Sequence, residues 1–219
     1  MLIMSFEQDI ENTNSQVLEL VQQRPNPGIF GLHWISQSCN TERLKSLIES
    51  GMILGAKFHG SYEHEPLSHQ KHWRVLEVLG AKEAILLVHC GRYKEGERES
   101  NTSYLHALDV AKMYGGIKVI MAHMGGTDTT VCKKAIKDSR DYDNVYFDTS
   151  GITTPYIIEY ALKEIPSTRI LFGSDAPWCS FRAMYYTVMD ANIPEADKYN
   201  IMHKSFDGLI QDCRLLPLP

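Results

Sequence analysis

Lys118-Val119-Ile120-Met121-Ala122-His123-Met124-Gly125-Gly126 is the stretch that decides the fold. A short, unbroken apolar run ends on a histidine and a glycine turn. Strands buried on both faces read as continuous apolar runs, whereas strands with one wet face alternate. Residues 84–89 (AILLVH) end the same way, and residues 169–178 (RILFGSDAPW) end on Asp175 in place of histidine. Three buried strands thus each deliver, at their C-terminal end, one side chain able to bind a metal or move a proton.

The same rhythm extends in both directions. Apolar runs at 2–6, 29–36, 53–58, 84–88, 119–122, 145–147 and 170–172 predict seven strands. Helical spacing falls between them, at 14–23, 42–50, 73–79, 102–114, 129–138, 155–164, 181–190 and 197–210. Thr41 is the expected N-cap of the second helix, and 59–69 reads as a polar loop. Strands alternating with helices predict parallel pairing through right-handed crossovers. The expected fold is therefore α/β, a TIM-type (β/α) barrel of seven strands filling residues 1–219 as one domain. In such barrels functional groups gather at the C-terminal strand ends. Here those positions hold His59, His89, His123, Ser150 and Asp175.

Composition narrows the function classes. The 219 residues carry a formal net charge of −5, with 43% apolar and 22% charged residues. No basic patch predicts nucleic-acid binding, and no apolar run approaches the ~20 residues of a membrane span. Five scattered cysteines without a C-x-x-C pair argue against a disulfide framework. With no secretory-type start, they point to the cytoplasm. No G-x-G-x-x-G or P-loop pattern supports nucleotide binding.

His89 and Asp175 combine imidazole nitrogen and carboxylate oxygen, the donors of a catalytic zinc site. The plainer alternative for His89 is a satisfied core histidine. His123 is suited to be a ligand or general base, or else a histidine hydrogen-bonded to a loop carbonyl. Asp175 is suited to ligation or proton transfer, or to capping the next helix. Lys57 is costly to bury unpaired; it either holds a substrate carboxylate, binds metal once carboxylated, or extends its ammonium into water. His59 beside it is a candidate substrate contact. Arg92, with Tyr93 and Lys94, suggests recognition of an anionic substrate. His33 is expected to be structural, Cys90 to be a packed small residue, and His64, His69 and His72 to be solvated.

The segments GAKFHG (55–60), ILLVHCG (85–91), VIMAHMGG (119–126), VYFDTSG (145–151) and RILFGSDAPW (169–178) resemble the amidohydrolase-related metal-dependent hydrolases. That branch of the superfamily includes aminocarboxymuconate-semialdehyde decarboxylase-like enzymes. The resemblance covers nearly the whole chain and implies a (β/α)8 barrel. It implies metal ligation by His89 and Asp175, a base or water-orienting role for His123, which can add a third ligand, and substrate contact by Lys57. The family's first strand ends in H-x-H and supplies two further ligands; this sequence contains no H-x-H. Residues 2–6 correspond better to the family's second strand, so the first βα unit is expected to be missing.

The implied function is a hydrolase, decarboxylase or hydratase that acts on a small, carboxylate-bearing substrate through a metal-activated water, with a divalent metal, zinc, as cofactor. Because two ligands are missing, a metal-independent lactonase-like hydrolase and a catalytically degenerate barrel stay open. Seven strands leave a barrel edge unpaired, which predicts a homo-oligomer covering it. No nucleic-acid or membrane partner is expected.

Overall fold

The structure, a computed structural model, describes residues 2–3, 10–23, 28–36, 38–91, 98 and 100–213. Its core is one seven-stranded sheet in sequence order: β1 (Leu2–Ile3), β2 (Phe30–Trp34), β3 (Ile53–Phe58), β4 (Ile85–Val88), β5 (Lys118–Met121), β6 (Val145–Asp148) and β7 (Ile170–Leu171). Every neighbouring pair is parallel. Among the described residues, β1 and β7 do not pair with each other. The sheet is the partial barrel that the apolar runs predict.

The strands are connected by α1 (Ile10–Gln22), α2 (Thr41–Glu49), α3 (Gly60–Glu63), α4 (Trp73–Ala81), α5 (Tyr104–Met113), α6 (Thr129–Ser139) and α7 (Pro155–Glu164). After β7 come α8 (Phe181–Met189), α9 (Glu195–Tyr199) and α10 (Ser205–Asp212). Strand alternation divides the apolar side chains between two layers. Ile53, Leu86, Val88, Val119, Met121, Val145, Phe147 and Ile170 face the helices. Leu32, Leu54, Ile85, Leu87, Ile120, Tyr146 and Leu171 form the inner layer, joined by Leu209 and Cys213 from the C-terminal segment. Burying each Leu, Ile or Val of these layers contributes roughly 1.5–3 kcal/mol, which fixes the strand register firmly.

The C-terminal segment also covers the outer edge of β7. The backbone N–H of Phe172 donates to the carbonyl of Ile201 at 2.9 Å, and the Ser205 hydroxyl donates to Ser167 O at 2.9 Å. The helix expected at 197–210 is accordingly divided. A π turn, Asn200–Lys204, separates α9 from α10 where the Ile201 carbonyl is committed to the strand.

Three other expectations need correction. Asn40, not Thr41, caps α2: its side chain accepts from Arg43 N at 3.0 Å, so the helix starts one residue earlier. The loop expected at 59–69 contains α3 and a fully buried Leu67, because an apolar side chain at this position has the outer core to enter. Its neighbour His72, expected in water, is 1% exposed. It packs edge-on against Phe58 with ring centroids 4.9 Å apart, and desolvation holds its pKa below the usual histidine range.

Candidate active site

The β5 and β6 ends carry a dense set of hydrogen bonds around His123. His123 follows β5 with φ 57° and ψ 39°, and Met124 follows at φ 54° and ψ 30°. Two successive side-chain-bearing residues in the left-handed region are costly, of order 1–2 kcal/mol each. Tertiary bonds hold them there. The His123 N–H donates to Asp148 Oδ1 at 3.0 Å, and its carbonyl accepts from Gly126 N at 2.9 Å. Met124 is fully buried. Gly125, at φ 82°, completes the turn, and a Cβ there would lie 2.5 Å from Ala135 Cβ.

Around the imidazole, Nδ1 of His123 lies 2.9 Å from both the carbonyl oxygen and the hydroxyl of Ser150. Nε2 lies 3.1 Å from Nδ1 of His89. His89 follows β4, half-buried, with its N–H donating to Phe58 O at 3.0 Å. Its ring stacks on His59, centroids 3.8 Å apart and planes at 10°. His59 in turn lies parallel to Trp34, at 6.1 Å and 8°. Three histidines from three adjacent strand ends therefore form one continuous group. Burial, then the Lys57 charge, then His123 push His59 down to a pKa of about 3, so it is a neutral ring at physiological pH.

Lys57 sits beneath this group on the inner face of β3. It is 4% exposed, which removes the alternative of an ammonium extended into water. Desolvation lowers its pKa, and among the charges that oppose this Asp148 is felt most, with Asp175 also contributing. Asp148 lies on the same inner face as Lys57, as alternation from Tyr146 requires. Asp148 is a site residue that strand-end counting missed. The signal was present in VYFDTSG, where alternation from Tyr146 turns Asp148 inward.

Asp175 stands apart. It is half-buried at φ 52°, and its carbonyl accepts from Cys179 N at 2.9 Å. Ser180 caps α8, accepting from Ala183 N at 3.4 Å, so Asp175 does not serve as that cap. His33 is buried with Nε2 3.3 Å from Asn14 Nδ2, a structural position. Cys90 is fully buried and its thiol is pushed up by burial. Arg92, Tyr93 and Lys94 lie outside the described residues.

The nitrogen spacing of 3.1 Å between His89 and His123 suits two ligands of one divalent ion, whose bonds to imidazole run about 2.0–2.1 Å. Asp175 supplies the right third donor type from the facing rim. Among the described residues, though, no three metal-competent side chains are already gathered at one point. A polar concavity of about 380 Å³ opens at the opposite, N-terminal end of β5 and β6, lined by Lys112, Lys118, Asp141 and Asn144. That end of a barrel carries stability, so chemistry and not hollow size places the site.

Comparison with known proteins agrees with this architecture. A family model described as amidohydrolase matches residues 5–204. The fold is similar to 2,6-dihydroxybenzoate decarboxylase from Rhizobium, at 16% identity and TM-score 0.73, over 92% of this chain and 76% of that one. It is also similar to a dihydroxybenzoic acid decarboxylase from Polaromonas sp. JS666 with bound manganese and the inhibitor 2-nitroresorcinol, at 17% identity and TM-score 0.72, over 92% and 74%. A third similar structure is 5-carboxyvanillate decarboxylase from Sphingomonas paucimobilis, at 12% identity and TM-score 0.71, over 92% and 72%. No curated protein matches the chain.

Proposed function

The chain belongs to the amidohydrolase family, and from that premise we propose that it is a divalent-metal-dependent hydrolase or decarboxylase acting on a small carboxylate-bearing molecule. The observation that carries this reading is the His89–His123 contact at 3.1 Å, made at the C-terminal ends of two adjacent parallel strands. Polar groups converging there are what a barrel enzyme uses.

His89, His123 and Asp175 would hold the metal, zinc or manganese, with Asp175 closing in from the β7 rim. When bound, such an ion polarises a carbonyl or carboxylate oxygen and eases deprotonation of water. Among the chain's own groups, the Asp175 carboxylate accepts the proton through the oxygen that does not ligate, or Nε2 of His123 accepts it when His123 leaves ligation to His89 and Asp175. The Lys57 ammonium, buried and without a hydrogen bond or ion pair among the described residues, offers its charge to a substrate carboxylate. His59 forms a flat, neutral wall beside it, and Arg92, outside the described residues, is proposed as a second anion contact. Support for a carboxylated aromatic substrate comes from the similar structures, whose names include two hydroxybenzoate decarboxylases and a carboxyvanillate decarboxylase. A cytoplasmic homo-oligomer that covers the open side of the sheet completes the reading. No helix among the described residues is long and apolar enough to cross a membrane.

The test is a panel of hydroxybenzoates, related aromatic acids, esters and lactones, assayed with zinc or manganese and again with chelator. Turnover that needs metal and disappears in His123→Ala and Asp175→Ala supports the proposal. Metal-replete protein that turns over none of the panel, and binds neither ion in calorimetry, sinks it. A second reading, metal-independent lactone hydrolysis, is favoured by the ungathered donor set and by the absence of H-x-H in the sequence. Lactone turnover that persists in chelator would select it.

A further inference from the structure

The buried carboxylate of Asp148 has no part in the reading above, yet its geometry gives it one. Oδ1 accepts from the N–H groups of His123 and Ser150, each at 3.0 Å, and from the Ser150 hydroxyl. That hydroxyl has one proton, and Asp148 takes it. Toward Nδ1 of His123, 2.9 Å away, Oγ therefore presents only lone pairs. The Ser150 carbonyl, also at 2.9 Å from Nδ1, can only accept. Two acceptors at one ring nitrogen place the proton there and leave the lone pair on the other. That other nitrogen, Nε2, faces His89.

We propose that Asp148 is a positioning residue which, through Ser150, fixes His123 as the Nδ1–H tautomer and turns its basic Nε2 toward the inner space. The inference rests on the reading of His123 as a proton acceptor or ligand, since either use needs the lone pair on Nε2. The charge of Asp148 is the active ingredient. A neutral acceptor at this place binds the hydroxyl less strongly. The hydroxyl is then able to rotate, donate to Nδ1 and stabilise the opposite tautomer. Space around the arrangement is already taken. A Cβ on Gly151 would lie 3.1 Å from His123 Nδ1, and one on Gly173 would lie 3.0 Å from Ser150 Cβ and 3.1 Å from Asp148 Cγ. The ring and the carboxylate are therefore held in register by packing as well as by hydrogen bonds.

The experiment is ¹⁵N spectroscopy of the full chain labelled at histidine, at about pH 8, above the ordinary histidine range. Wild-type protein is expected to show His123 as a single Nδ1–H tautomer. Asp148→Asn, nearly isosteric, is expected to add a visible Nε2–H population. The double variant Asp148→Asn, Ser150→Ala is expected to restore the single Nδ1–H form, because only the carbonyl then faces Nδ1. A purely structural Asp148 would not produce that recovery. Wild-type His123 protonated on Nε2, or an Asp148→Asn spectrum unchanged at His123, overturns the proposal. Activity is read separately. With a substrate in hand, kcat is expected to fall about threefold to tenfold in Asp148→Asn with KM held, and to recover in the double variant, because general-base action needs the correct tautomer. If the tautomers behave as stated while no substrate is turned over, the proposed reaction fails and the positioning role stands.

Discussion

His123 and Asp175 end two strands of the same sheet, and both sit in the left-handed region, at φ 57° and φ 52°. They are supported very differently. His123 is 6% exposed, with its N–H, carbonyl and both ring nitrogens engaged. Asp175 is half-buried and precedes three exposed residues, of which Trp178 is 67% exposed. The difference teaches where this fold stores strain. An unfavourable backbone persists at β5–β6 because buried partners over-determine it, whereas at β7 it rests on few contacts. One rim is held by many buried contacts, and the other by few.

The harshest way to break the contrast is Asp148→Ala, which leaves two buried backbone N–H groups, those of His123 and Ser150, without their acceptor. Each buried unsatisfied group costs about 1–3 kcal/mol, so a loss of about 4 kcal/mol is expected from urea midpoints. Gly125→Ala attacks the same rim sterically. Its Cβ would overlap Ala135 in a left-handed backbone, and about 3 kcal/mol should be lost in the same assay.

Acid probes whether this rim outlasts its flank. Burial, then Arg43, lowers the His33 pKa from 6.5 to about 4, and burial lowers those of His72 and His106. Unfolded histidines bind protons below about pH 6.5 while these folded ones resist, so the unfolded state gains as pH falls. Their contribution is complete above pH 6.5 and is lost as pH drops toward 4; His33 alone represents on the order of 3 kcal/mol. Hydrogen exchange at pH 5 should show β2 and α4 opening before β5 and β6. The smallest effect sharpens the comparison from the other side. Asp175→Gly relieves left-handed strain where little else is lost, and the net change should lie within about 1 kcal/mol and on the stabilising side. A large destabilisation there would show that the β7 rim is as tightly built as its counterpart.

Asp148 and Lys57 mark the limit of reading strand ends alone. Its cost of burial singles out Lys57 in the sequence, but whether its ammonium reaches water depends on how β3 packs in the sheet. His72 marks the same limit, since only the packed sheet brings Phe58 beneath it.

The sequence alone determined the seven parallel strands, their order and the rim positions of the three histidines. Apolar runs closed by His, Asp and Gly report local burial and chain direction, and these need no knowledge of neighbours. Tertiary structure alone decided that His59, His89 and His123 touch, that Asp148 and Ser150 orient the last of them, and that Asp175 stands off. Those facts depend on ångström-scale distances between strands joined by tens of residues, and such distances are set by packing.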